Sequence, residues 1–197
     1  MKEQTFSFTA DHLAYGRTFT GAPFAEAIYK LKVRLAGPVP SHEKRRLDKQ
    51  PETILGFESR YVMTDALIGQ YGTDCVLEIA SGLSPRCFAR AKLNLGSKFA
   101  EMDLKPVMEL KHRIALALCR EYHSAYPENL KLFTGDATCT ADYDGVRKYF
   151  GKGDADGHLR GIAPIPAVGQ EDPAGEESAR AHRSPWCLHH SRRAPAL

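Results

Sequence analysis

Three places in the chain combine residue types that could hold a ligand built on a nucleoside. The first is Glu78-Ile79-Ala80-Ser81-Gly82, where a short apolar run ends in a turn. Gly82 lets backbone approach a ligand closely, and N–H groups at a helix start can receive a carboxylate. The second is Asp103, which closes the next apolar run. A carboxylate there can accept both hydroxyl protons of a ribose. The third is Asp136, closing another such run and placed to accept from an adenine amino group. Each feature alone also suits plain loop chemistry or a solvated carboxylate. Their common spacing is what points to one crevice beyond the carboxyl ends of parallel strands, where open α/β sheets hold ligands. Folds that bind a dinucleotide pyrophosphate share this layout but use G-x-G-x-x-G. Gly82 is the only glycine of this turn, which counts against an NAD-dependent oxidoreductase.

The elements that position these residues follow from periodicity. Residues 1–72 form a helical segment with breaks. Phe24 to Leu31 carries apolar residues at helical spacing until Gly37-Pro38-Val39-Pro40 stops it. A second helix spans Pro51 to Tyr71, with Ile54, Leu55, Phe57, Tyr61, Val62, Leu67 and Ile68 as its expected buried set. Residues 73–150 alternate between strand and helix. Strands are expected over Cys75–Ala80, Lys98–Asp103 and Leu130–Thr134, and helices over Arg86–Leu93, Leu104–Tyr122 and Tyr143–Phe150. That order predicts a parallel sheet with right-handed crossovers and helices on its faces. Residues 151–197 have few large apolar residues and no period, and are expected to form a low-order tail.

At these residues the chain resembles a known family. Val76-Leu77-Glu78-Ile79-Ala80-Ser81-Gly82-Leu83-Ser84-Pro85-Arg86 is similar to the first motif of the leucine carboxyl methyltransferase family. That family includes bacterial O-methyltransferases linked with polyketide biosynthesis, where the usual form is Leu-Gly-Ala-Gly-Leu-Asp-Thr-Arg. Phe99 to Met108, with Lys111, resembles its second signature, a strand ending Glu-x-Asp followed by a helix with a lysine one turn in. Glu58-Ser59-Arg60-Tyr61 lies where members place an arginine that meets the cofactor's carboxylate.

The resemblance, over roughly Arg60 to Asp136, implies a class I methyltransferase that uses S-adenosylmethionine on a partial Rossmann-like α/β fold. It implies that Arg60 pairs with the methionine carboxylate, that Ala80, Ser81 and Gly82 pass under the methionine moiety, and that Glu78 is among the cofactor-binding residues. Asp103 would hold the ribose, and Asp136 with Ala137 the adenine. Ala80 stands where the family has its first glycine, and Ser84-Pro85 where it has Asp-Thr. The family continues into a fourth strand with a Glu-Gly-Leu-x-x-Tyr-like signature. Gly161-Ile162-Ala163-Pro164-Ile165-Pro166 stands there instead. A premature end, through a frameshift near Gly151, is the expected cause.

Composition narrows the alternatives. Apolar residues at 43% and charged residues at 26% are those of a globular chain. The net charge of +3, split between His42–Arg46 and Arg180, Arg183, Arg192 and Arg193, makes no basic patch suited to nucleic acid. No stretch reaches the roughly 20 apolar residues of a membrane span, and no signal-peptide pattern follows Met1. Five scattered cysteines without a CxxC fit a reducing cytoplasm. His182, Cys187, His189 and His190 lack the paired spacing of a zinc site, so no metal is expected. Cys87 reads as a half-buried structural thiol, and His112 and His123 as surface residues. The expected function is methyl transfer to an oxygen of a small molecule or to a carboxylate. The alternative is a truncated, non-catalytic remnant of such an enzyme. No residue announces itself as a general base, and the oligomeric state is not encoded legibly.

Overall fold

The computed structural model describes residues 3–71 and 74–151. The expected tail, the Gly161–Pro166 segment and the His/Cys cluster at 182–190 lie outside the described residues.

Four helices come first: α1 (Glu3–Arg17), α2 (Ala25–Ala36), α3 (Ser41–Asp48) and α4 (Pro51–Tyr71). In α2 the buried positions Ile28, Leu31 and Lys32 follow helical spacing. Lys32 is buried because its ammonium meets Asp11 of α1 at 2.7 Å. The α3 helix forms from the basic run that reads in sequence as solvated charge. Pro40 precedes it as N-cap, and Leu47 at its end is fully buried against Tyr15, Val39 and Phe57. The expected buried set of α4 needs correction. Phe57 and Tyr61 are buried, whereas Leu55, Val62 and Leu67 are 63%, 58% and 44% exposed. Apolar residues occur around most of the circumference of α4, so periodicity did not select the face that packs. No described helix is long and apolar enough to cross a membrane.

The sheet follows. Strand β1 (Cys75–Ile79) pairs with β2 (Lys98–Asp103), which pairs with β3 (Leu130–Thr134), all parallel, in the order β1-β2-β3. Between them run α5 (Arg86–Leu93) and α6 (Lys105–Glu121), and α7 (Asp144–Phe150) comes after a single 3-10 turn at Thr140–Tyr143. This is an α/β architecture with helices on both faces of a parallel sheet. Val76, Phe99 and Leu130 point to one face and pack with α1, α2, α5 and α6. Leu77, Ala100 and Met102 point to the other and meet Val146 and Phe150 of α7. The alternation is the period-2 rule of a strand. Helices α1 and α2 thus share a core with the sheet, while Tyr15, Val39, Leu47 and Phe57 form a second cluster among the N-terminal helices themselves.

Candidate functional site

Strand β1 ends one residue earlier than expected, at Ile79, because the backbone turns left-handed at Ala80 (φ +50°) and again at Gly82 (φ +52°). The bend is held from β2. Asp103 Oδ2 accepts from the Gly82 N–H at 2.7 Å, and Asp103 Oδ1 accepts from the Leu104 N–H, at the head of α6, at 2.7 Å. A carboxylate at a helix N-terminus is favoured by the helix dipole. Ionised carboxylates offer about four acceptor positions, so two remain on Asp103 for a ligand's hydroxyls. The Ser81 N–H donates to the Met102 carbonyl at 3.3 Å, tying the bend to β2 a second time. Helix α1 lies over the bend: a Cβ at Gly82 would stand 3.7 Å from Ala10 Cβ, an ordinary contact. The positive φ, not crowding, is what calls for glycine there.

Ala80 has the same backbone requirement without the same freedom. A left-handed φ costs an L-residue roughly 1–2 kcal/mol, of which glycine's extra chain entropy takes back about 0.5–1 kcal/mol. Ala80→Gly is therefore expected to stabilise the protein by about 0.5–1 kcal/mol, read as a higher urea midpoint. An unchanged or lower midpoint would locate the strain elsewhere.

Beneath the bend lies a buried charged layer on the α5/α6 face of the sheet. Arg86 Nη1 donates to Glu78 Oε1 at 2.5 Å and Arg86 Nε to Asp65 Oδ1 at 3.1 Å, with the guanidinium 4.6 Å from the Tyr61 ring centroid. Burial works against the Arg86 charge, yet Glu78, Tyr61 and Asp65 outweigh it and hold the group above its ordinary pKa. Lys111 Nζ meets Glu101 Oε2 at 2.6 Å and donates to Ser81 Oγ at 3.1 Å. Burial pushes the Glu101 carboxyl up to about 7, against the opposing pull of Lys111. Cys87 is fully buried rather than half-buried, and burial holds its thiol well above the ordinary value. Glu78, Cys87 and Glu101 place ligand atoms within 4.8 Å of one another. Arg86 and Lys111 already neutralise the two carboxylates, so the trio is an ion-pair layer and not a cation site.

Near Arg86, buried Arg17 Nη1, Tyr61 Oη and Glu78 Oε2 have no hydrogen-bond partner; deeper in the layer neither do Glu101 Oε1 and Oε2, the latter meeting Lys111 as an ion pair. Burial lowers the Arg17 pKa. Glu78 pulls the other way, and the Arg86 and Arg60 cations push it lower again. Those interactions put Arg17, Arg60, Tyr61, Glu78 and Arg86 in one electrostatic neighbourhood. Two donors and one acceptor left open there match a group carrying both a carboxylate and an ammonium.

No family model and no curated protein matches this chain.

Of the sequence-derived site residues, Glu78, Ser81, Gly82 and Asp103 are brought together, with Ala80 exposed at the rim. Arg60 turns back on its own helix: its Nε donates to the Gly56 carbonyl at 3.2 Å and its guanidinium lies 5.5 Å from the Phe57 ring centroid. Asp136 is exposed, and its Oδ1 accepts from the Thr138 N–H at 2.8 Å and the Thr138 hydroxyl at 2.7 Å. Those bonds lower its pKa and leave Oδ2 for other use. Ala137 is also exposed, its carbonyl accepting from the Tyr143 hydroxyl at 2.9 Å. The Gly135 N–H donates to the Asp103 carbonyl at 3.0 Å, which ties the end of β3 to the end of β2. A groove of about 340 Å³ along Met108, His112, Tyr126, Leu132 and Thr134 does not include Ala80–Gly82 or Asp103.

Sequence reasoning missed Arg17. It sits in the last turn of α1, far in sequence from any motif, and nothing local marks it. Arg86 was legible only as the final residue of the first motif, without its buried partners.

Proposed function

We propose that this chain binds S-adenosylmethionine as a class I methyltransferase of the leucine carboxyl methyltransferase kind. The observation that carries the reading is the 2.7 Å bond from the Gly82 N–H to the Asp103 carboxylate, which brings the bend after β1 and the acid after β2 together at the carboxyl end of the sheet. The parallel order β1-β2-β3 with helices on both faces fits a Rossmann-like half-sheet, and ligands of such sheets lie beyond the strands' carboxyl ends.

The residues present suit the cofactor. Its ribose hydroxyls would meet the open acceptor positions of Asp103. Its amino-acid end would meet Arg17 and Tyr61 through the carboxylate and Glu78 through the ammonium, satisfying the three open polar atoms. Arg60 would add charge to the carboxylate side from the neighbouring turn of α4. Asp136 and Ala137 would meet the adenine. When bound, the cofactor supplies a methyl group on a sulfonium. The protein's part is to hold it, keep its charge compensated and exclude water.

The acceptor class is an oxygen of a small molecule or a carboxylate, with neither nucleic acid nor membrane as partner and the cytoplasm as the place of action. A non-catalytic remnant shares the binding half of this proposal. The three-stranded sheet among the described residues favours keeping it as the second reading, since β1 has no partner on its other side there. Thermal shift separates the chemistry: S-adenosylhomocysteine raises Tm and NAD does not. A shift with NAD alone would replace the methyltransferase reading with the oxidoreductase one. Methyl release from labelled cofactor then separates enzyme from remnant.

A further inference from the structure

The bond between Lys111 and Ser81 reaches the ligand loop from beneath, and nothing in the proposed function uses it. Lys111 is 7% exposed and Glu101 is fully buried, and the lysine ammonium is paired directly with that carboxylate. The remaining groups facing Glu101 are Glu78 from β1, Cys87 from α5 and Tyr126 ahead of β3, and Glu78 is already engaged by Arg86. Ser81 sits between the two left-handed residues of the bend, and its hydroxyl touches Lys111 at 3.1 Å and Met108 Sδ at 3.9 Å.

We propose that Lys111 is a positioning residue for the Ala80–Gly82 bend, and that Glu101 holds it in place only while ionised. With Glu101 as carboxylate, the lysine is fixed under Ser81 and the bend is ordered. When Glu101 takes up a proton, Lys111 becomes a buried cation without its direct ion-pair partner. Such a charge is costly to keep out of water, and a lysine on a helix can carry its head outward. The Ser81 bond is then lost and the bend loosens. Burial raises Glu101 to about 7, which places the change near neutrality. The sign is that order in the bend increases as pH rises through about 7. The global contribution of Glu101 runs oppositely, because a carboxyl raised on folding loses stability as pH climbs from its unfolded value to its folded one.

The inference about the cofactor rests on the proposed function, but the loop itself can be tested without ligand. Amide hydrogen exchange at Gly82, corrected for the intrinsic pH dependence of exchange, reports the bend directly. A hydrogen bond from a charged donor is worth at least about 1.5 kcal/mol, or roughly tenfold in protection. Protection in the unmodified chain is expected to rise roughly tenfold between pH 6 and 8.5. Glu101→Gln should flatten the profile. Ser81→Ala removes one hydroxyl, leaves the Lys111–Glu101 pair in place, and should also flatten it. A pH rise that survives in either variant overturns the proposal, as does a flat profile in the parent. A pH-dependent bend in a chain that ignores S-adenosylhomocysteine sinks the proposed function alone. Ligand affinity that fails to follow the protection profile confines the device to the free protein.

Discussion

Arg86→Met is expected to destabilise the protein by about 3–5 kcal/mol, because it leaves Glu78 buried without its ion-pair partner. Arg86 is 3% exposed and bonds to Glu78, Asp65 and the Tyr61 carbonyl, the last at 3.5 Å. It therefore joins α4, α5 and β1 at one point. Domains of this size are stable by only about 5–15 kcal/mol, so the loss approaches unfolding. Tm should fall by roughly 10 °C or more. Adding Glu78→Gln to the same chain should restore about half of the loss, since the uncompensated charge is its main source. Chemical denaturation of the single and double variants checks this. A single variant within about 1 kcal/mol of the parent would mean that Glu78 is solvated, contrary to its burial.

Asp103→Ala has the second large effect, and it separates structure from binding. The substitution removes acceptors for two backbone N–H groups at 2.7 Å. Asp103 is half-buried, so water replaces part of what is lost, and the expected cost is about 2 kcal/mol. The effect on ligand should be larger, at least about 100-fold weaker S-adenosylhomocysteine, because the ribose loses its acceptors and the bend loses its anchor together. Calorimetric titration below the variant's melting range gives the affinity. An affinity unchanged within twofold, with stability lowered, would leave Asp103 a purely structural residue.

Much of the sheet was legible because its strands obey simple rules. Cys75–Ile79 is nearly all apolar, Lys98–Asp103 and Leu130–Thr134 fall where expected, and the intervening helices differ by a residue at most. The junction of Gly82 with Asp103 was readable from glycine chemistry and spacing. Other features depend on contacts that no local pattern encodes. A basic run became α3 because Leu47 found a pocket made by Tyr15, Val39 and Phe57. The face of α4 was set by Gly16 and Arg86, residues remote from it in sequence, which is why Leu55 and Val62 ended outside. Arg17 gained its interest from three-dimensional neighbours alone. Lys111 belonged to a recognisable motif, but its bond to Ser81 required the loop to pass directly above it.

The decisive measurement is an amide chemical-shift titration of the intact chain with S-adenosylhomocysteine. A nucleoside lodged beyond the carboxyl ends of the first two strands should move the signals of Gly82 and Leu104 together, saturating at one equivalent, with Tyr61 responding in step. No movement at those amides under saturating ligand, or changes scattered over unrelated surfaces, would contradict the account.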